Sequence, residues 1–174
     1  MRVGFLNAGA TRQILENPNP DFPLEYNPDA IDEIYRLTHG QPYLVQLIGF
    51  QLVRRFNEQV FETGKQRDPM LTLADVAAVT DISQADLFRN GRYYFDGIWK
   101  QASQGTPGQT TVLQALAARP TGLSIDELQS LCPDVPDMMA ALDTLQRHDV
   151  VEECGETWHI QVELCRRWIA KRSG

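Results

Sequence analysis

The amino-acid sequence predicts a mainly helical protein built from two domains, one over residues 1–105 and the other over residues 106–174. Three observations lead to this prediction. Apolar residues recur at the three-to-four-residue spacing of helices that bury one face. Capping residues and prolines stand where several of these segments begin. The stretch Gln104–Gly108 contains two glycines and a proline, which is the strongest linker signal in the chain.

The first domain begins with a short apolar stub at residues 1–6 and continues with helices. Asn7 is expected to cap the first of them, and the three prolines in residues 17–23 form a connector that cannot continue it. Gly40 ends the second helix, and Pro42 opens the third, which is predicted to be central because it is apolar on most of its surface. The predicted helices run over residues 8–16, from Asn27–Pro28 to Gly40, over 42–57, from Thr72 to Val79, and from Ser83 to Ser103.

The second domain combines helices with one hairpin. Ser124 and Glu127 have the spacing of a capping box at the start of a short helix. The predicted elements are helices over 110–118, 124–131 and 137–148, strands over 150–153 and 157–160, and a closing helix. Three helices, a hairpin and a final helix in this order are typical of a winged-helix domain.

Composition and charge exclude several classes of protein. The chain carries 16 Lys and Arg against 23 Asp and Glu, a net charge of −7, whereas proteins held on DNA usually present a basic face. Its apolar runs are far shorter than the ~20 residues of a membrane span, and no signal core follows Met1. Three cysteines without a C-x-x-C pair fit a reducing compartment. We therefore expect a cytoplasmic protein without a membrane segment.

The sequence also lacks the motifs of a complete enzyme. It contains no phosphate-binding loop of the G-x-x-x-x-G-K-[ST] type, no G-x-G-x-x-G, no H-E-x-x-H and no G-x-S-x-G. We expect neither catalysis nor a bound cofactor from this chain by itself.

One segment resembles a known family. Residues Leu37–Leu47, with the sequence LTHGQPYLVQL, resemble the G-x-P turn in the helical lid of STAND-type and archaeal-type P-loop ATPases, which are similar to AAA+ machines. In such proteins a nucleotide-binding core is followed by the lid and often by a winged helix. The resemblance implies that residues 1–105 form a lid-like domain, and that residues 1–6 are the remnant of the last core strand. The specific match covers about ten residues. Over the remaining residues the resemblance depends on the order and spacing of the predicted elements.

The same resemblance implies a nucleotide-sensing role for the turn. In that family the proline of the turn lies against the bound nucleotide, a role that falls on Pro42 here, with Gly40 allowing the close turn and His39 as a further candidate. ATP or ADP would then be held by an upstream core in the same polypeptide, because this chain has no phosphate-binding loop. The turn also has a purely structural explanation, with Gly40 ending one helix and Pro42 starting the next.

The second domain offers candidate interaction residues. Arg147 lies on the segment 137–148, where a DNA-reading helix would be, and Arg166, Arg167 and Lys171 cluster on the closing helix. Residues 106–174 nevertheless hold 6 Lys and Arg against 10 Asp and Glu, and acids flank the hairpin turn. We expect docking within the parent protein or on a protein partner. The alternative is a nucleic-acid-binding winged-helix module, and the oligomeric state stays open.

A zinc site is not expected. Cys154, His159, Cys165 and His148 have spacings that match no common ligand pattern. Isolated cysteines more often act as small buried apolar residues.

Overall fold

The computed structural model describes residues 4–16, 24–84 and 86–174. Residues 1–3 of the predicted stub and the predicted connector 17–23 lie outside the described residues. The helices are α1 Ala8–Leu15, α2 Pro28–Thr38, α3 Pro42–Asn57, α4 Leu73–Val79, α5 Asp86–Asn90, α6 Arg92–Gln104, α7 Gln109–Ala117, α8 Ile125–Leu131, α9 Met138–Arg147 and α10 Glu163–Ser173. The strands are β1 Glu25–Tyr26, β2 Met70–Leu71, β3 Val151–Cys154 and β4 Thr157–Ile160.

The mainly helical prediction is confirmed, and several predicted caps form. The Asn7 side chain accepts a hydrogen bond from the amide of Ala10 at 2.8 Å. Ser124 and Glu127 exchange the two bonds of a capping box at the start of α8. Asn27 precedes Pro28 in extended conformation, but its side chain makes no capping bond. Local sequence signals therefore fix most helix starts.

The prediction of a single helix from Ser83 to Ser103 is wrong. A short 3-10 turn at Ile82–Gln84 is followed by α5 and then by α6, and Gly91 stands at the break between these two helices. The amide of Gly91 bonds to the carbonyl of Leu87 at 2.8 Å and ends α5. Glycine costs a helix interior about 1 kcal/mol relative to alanine, so this position favours a break.

The described residues form two compact units, residues 1–91 and residues 92–174. The division predicted from the sequence, after residue 105, differs from the division in the structure, which follows Gly91. In the structure α6 packs on α7, and Thr106 shares a 2.7 Å hydrogen bond with Thr144 of α9. Gly108 lies in the left-handed region at φ 93°, and an added Cβ there would approach Val135 Cγ1 to 2.6 Å. The glycine-rich stretch is thus a tightly packed corner inside the second unit.

The first unit is built around α3. Helices α1, α2 and α4 all pack against this helix, and its inner residues Leu44, Ile48 and Leu52 are fully buried. Strands β1 and β2 form a two-residue parallel pair, Glu25 with Met70 and Tyr26 with Leu71. The predicted central position of α3 is confirmed.

The second unit is built around α7. This helix packs against α6, α8, α9, α10 and β4, and its Val112 and Leu113 are fully buried. Strands β3 and β4 form an antiparallel hairpin with Val151 opposite Ile160. Leu123, which precedes α8, adds an antiparallel bridge to Trp158. In the described part of the chain, no helix has the length and apolar character required to cross a bilayer.

Candidate functional site

The turn between α2 and α3 has an unusual backbone. His39 and Gly40 both adopt left-handed conformations, with φ of 52° and 74°. The Thr38 hydroxyl donates to the carbonyl of Ile34 at 2.7 Å and accepts from the amide of Gly40 at 3.2 Å. Gln41 then caps α3, accepting from the amide of Leu44 at 2.9 Å, and Pro42 is the first residue of the helix. The turn is therefore tightly specified by its own sequence.

Gly40 is also in direct contact with the N-terminal segment. The amide of Leu6 donates to the carbonyl of Gly40 at 2.7 Å. A Cβ on Gly40 would stand 1.9 Å from the carbonyl oxygen of Leu6, a distance that no side chain permits. The glycine is required here both for its φ and for this close approach.

The His39 ring contacts two aromatic rings. It makes an edge contact with Phe5 at 5.7 Å and is nearly parallel to Tyr35 at 6.3 Å between ring centroids. Pro42 is half-buried, and Tyr43 beside it is exposed over 43% of its surface. His39 and Gly40 thus hold residues 5 and 6 against the turn, while Pro42 and Tyr43 form its more accessible edge.

The strongest electrostatic feature of the first unit centres on Asp75 in α4. Arg67 donates to both oxygens of this carboxylate, at 2.8 Å and 2.6 Å, and the side chain of Asp75 is only 6% exposed. Arg67 also donates to the carbonyl of Met70 at 2.8 Å and lies over the ring of Phe56 at 5.1 Å. The amide and hydroxyl of Thr72 donate to the same carboxylate. The Asp75 amide donates in turn to the Thr72 hydroxyl oxygen at 3.4 Å, so the two residues form a capping box.

Burial by itself would raise the pKa of Asp75, but hydrogen bonds from Arg67 and Thr72 prevail and lower it to about 2. The hydrogen bond to Asp75 and the negative charge of that carboxylate raise the pKa of Arg67. This network joins the loop before β2 to α4, and its bidentate form is the strong geometry for an arginine–carboxylate pair.

Two of the four candidate interaction residues, Arg166 and Arg167, form hydrogen bonds within the second unit. Arg166 makes two bonds to Glu163, at 2.9 Å and 2.8 Å, and donates to the carbonyl of Ala117 at the end of α7 at 2.8 Å. Arg167 donates to the same carboxylate at 3.1 Å. Burial would raise the pKa of Glu163, but these two arginines lower it. Arg166 thereby ties α10 to α7.

The remaining two candidate residues, Arg147 and Lys171, are exposed. Arg147 ends α9, and its Nε lies 3.4 Å from the carbonyl oxygen of Asp143. The same unit exposes carboxylates at Asp143 in α9 and at Glu153 and Glu156 of the hairpin.

The cysteines and histidines that could serve as zinc ligands do not form a metal-binding cluster. Cys165 is buried, and burial raises the pKa of its thiol to about 12, whereas Cys154 is exposed at the end of β3. Over residues 4–16, 24–84 and 86–174 no group of three or more His, Cys, Asp or Glu side chains is arranged to hold a metal ion.

Sequence reasoning missed the polar residues of the first unit that the fold brings together. Arg67 falls in a stretch that reads as a polar break, and Gln51 is a polar residue on an apolar helix. Gln51 is nonetheless only 5% exposed. A glutamine within the buried stripe of a central helix is the one sequence signal that could have pointed to this part of the unit.

Comparisons of the chain with protein-family models, with curated proteins and with solved structures find no significant match to any of them.

Proposed function

We propose that this chain is a non-catalytic regulatory and interaction region of a P-loop ATPase of the STAND or AAA+ type, in which the first unit acts as a helical lid. ATP or ADP would be held by a core upstream in the same polypeptide. The lid would contribute one wall of the nucleotide site, with Pro42 and the residues of its turn nearest the nucleotide.

The observation that carries the proposal is the close contact between the G-x-P turn and the N-terminal segment. A lid can report nucleotide state only if its sensing turn is mechanically joined to the chain that leads to the core. The bond from Leu6 to Gly40 and the contact of Phe5 with His39 supply such a joint. A ligand that contacts Pro42 in one state and not in another would then shift the whole lid relative to the core.

The test is a substitution in the full-length parent protein. We expect Pro42→Ala to change ADP or ATP affinity at least about fivefold, which is the lower end of the usual coupling between sites. The 174-residue chain carrying the same change should unfold close to the wild-type temperature, because alanine is well tolerated at the first position of a helix. Nucleotide affinity is measured by calorimetry and turnover by phosphate release.

Pro28→Ala is the matched control, because Pro28 is likewise the first residue of a helix, α2, but is exposed. It should leave nucleotide affinity unchanged. If Pro42→Ala and Pro28→Ala gave the same affinities and turnover as the wild type, the sensing role would be refuted.

For the second unit we propose a winged helix that docks on the core or on a protein partner. The order of α7, α8, α9, the β3–β4 hairpin and α10 supports this assignment. The exposed carboxylates Asp143, Glu153 and Glu156 disfavour contact with phosphates.

A direct binding measurement separates this proposal from the nucleic-acid alternative. We expect the chain to show no saturable binding to a 30-base-pair duplex by fluorescence anisotropy at low salt, because exposed acids accompany Arg147 on this unit. Submicromolar binding that weakened steeply with salt would favour a DNA-binding module instead.

A further inference from the structure

Two adjoining grooves lie beside α8 in the second unit. The first has a volume of about 420 Å³ and lies between the start of α8, the start of α9 and the turn of the β3–β4 hairpin. The second has a volume of about 390 Å³ and extends to Leu131, the last residue of α8. Asp126 lines both grooves, so they are parts of one concave surface. We call it the α8 surface, and its lining includes Asp126, Leu131, Met139, Glu153 and Glu156.

The α8 surface carries two large apolar side chains that are open to water. Leu131 is 53% exposed and Met139 is 44% exposed. Among the described residues of the second unit, Tyr93 is the one other large apolar residue with comparable exposure. Two of these three residues therefore lie in a groove, where a partner can cover them. Covering apolar area favours binding, and methionine adapts its shape to the side chain that it meets.

The first groove gathers negative charge without a compensating cation. Asp126, Glu153 and Glu156 line it, and all three are exposed. No Lys or Arg lines this groove, and none of the three carboxylates forms an ion pair within the part of the chain that the structure describes. Carboxylates gathered in one groove repel one another and attract positive charge. A basic occupant therefore complements this groove.

The remaining features narrow down the occupant. The described residues contain no group of three or more His, Cys, Asp or Glu side chains arranged to hold a metal ion, so a positive charge spread over a longer molecule fits better. Nucleic acids and anionic lipids carry the same sign of charge as the groove. A polyamine would complement the carboxylates but would leave Leu131 and Met139 in contact with water.

We propose that the α8 surface binds a basic segment of a protein. Lysine or arginine side chains of that segment meet Asp126, Glu153 and Glu156, and its apolar side chains cover Leu131 and Met139. Apolar contacts combined with complementary charge are the usual composition of a specific protein interface. The inference rests on the docking role proposed for the second unit, whose partner it describes, and it is independent of the lid proposed for the first unit.

The experiment measures binding of a fluorescein-labelled peptide of alternating lysine and leucine, KLKLKLK, to the 174-residue protein by fluorescence anisotropy at low salt. We expect saturable binding with a Kd on the order of 100 μM, which should weaken as added salt screens the charges. The peptide KSKSKSK and spermine should each bind at least about fivefold more weakly, because neither covers the apolar residues. The acidic peptide ELELELE should not bind.

A pair of double variants tests the charges of the groove. Glu153→Gln combined with Glu156→Gln should weaken KLKLKLK binding at least about tenfold. Asp96→Asn combined with Asp134→Asn is the matched control, because it removes the same charge at exposed positions outside both grooves. This control should bind within about twofold of the wild type. Thermal unfolding checks that both double variants are folded.

A single variant tests the apolar part of the surface. Met139→Gln keeps the length of the side chain but removes its apolar character, and it should weaken KLKLKLK binding at least about threefold. Leu73→Gln is the matched control, because Leu73 has the same 44% exposure but lies in the first unit. It should bind as the wild type does.

The proposal is overturned if KLKLKLK shows no saturable binding, or if the two double variants bind equally, which would indicate attraction to the net charge of the protein alone. It is also overturned if spermine or KSKSKSK binds as tightly as KLKLKLK. The titration contains no nucleotide, so a negative result removes the α8 surface without deciding the lid, which Pro42→Ala tests separately.

Discussion

We expect Asp75→Asn to lower the free energy of unfolding of this protein by about 3 kcal/mol, because breaking a buried ion pair leaves its partner charge uncompensated. The carboxylate is 6% exposed and receives bonds from Arg67 and Thr72. Asparagine can still accept from Thr72, but it cannot form the bidentate pair with Arg67. Urea unfolding monitored by circular dichroism measures the change.

The wild-type protein should also show a matching pH dependence. Because the pKa of Asp75 falls from 3.8 to about 2 on folding, its contribution to stability is fully present above about pH 4. That contribution, on the order of 2 kcal/mol, is lost as the pH falls from about 4 through about 2. The stability difference between wild type and Asp75→Asn should therefore shrink over the same interval.

Glu16→Gln is the control for these measurements. It removes an exposed pair with Arg12 at 3.3 Å, in which both side chains are 44% exposed. Such exposed pairs contribute about 0.5 kcal/mol or less to the free energy of unfolding, and this contribution does not change steeply at acid pH. If Asp75→Asn were as mild as Glu16→Gln, the network around Asp75 would not hold the first unit together.

The second large effect is expected for Gly40→Ala. A left-handed residue with a Cβ costs about 1–2 kcal/mol, and forcing side-chain atoms into a filled space costs about 1–3 kcal/mol more. Both costs apply, since φ is 74° and the Cβ would meet the Leu6 carbonyl oxygen at 1.9 Å. We therefore expect a loss of about 2–5 kcal/mol in the free energy of unfolding.

Gly64→Ala separates the two contributions. Gly64 has a similar φ of 69°, but nothing lies within 4 Å of an added Cβ. Gly64→Ala should lower the free energy of unfolding only by the conformational cost of a left-handed alanine, about 1 kcal/mol. Equal losses for the two variants would show that the contact between Leu6 and Gly40 contributes nothing to stability. The comparison uses chemical unfolding of both variants under identical conditions.

The Gly40 variant also bears on the proposed lid. If the turn transmits nucleotide state through residues 5 and 6, Gly40→Ala in the parent protein should weaken the coupling between nucleotide binding and lid movement. This effect is expected even under conditions where the first unit stays folded. Pro42→Ala leaves this joint intact and alters only the accessible edge of the turn. The two variants thus distinguish loss of the joint from loss of the nucleotide contact.

The predicted domain division after residue 105 shows where local signals mislead. Glycine and proline in the stretch from Gln104 to Gly108 are typical of a flexible linker. In the structure the same residues make a packed corner, with Thr106 bonded to Thr144 and Gly108 against Val135. A prediction from local composition cannot identify these contacts, because Thr144 and Val135 are distant in sequence from the glycine-rich stretch.

The sequence by itself determined most helix starts, the hairpin between residues 151 and 160, and the G-x-P turn with its required glycine. These features depend on residues a few positions apart, whose capping bonds and backbone preferences act locally. Only the tertiary structure decided the pairing of Arg67 with Asp75, the packed corner at Gly108 and the burial of Gln51. Each of these depends on how helices pack against one another, because burial and charge pairing are set by residues that the chain brings together from separate elements.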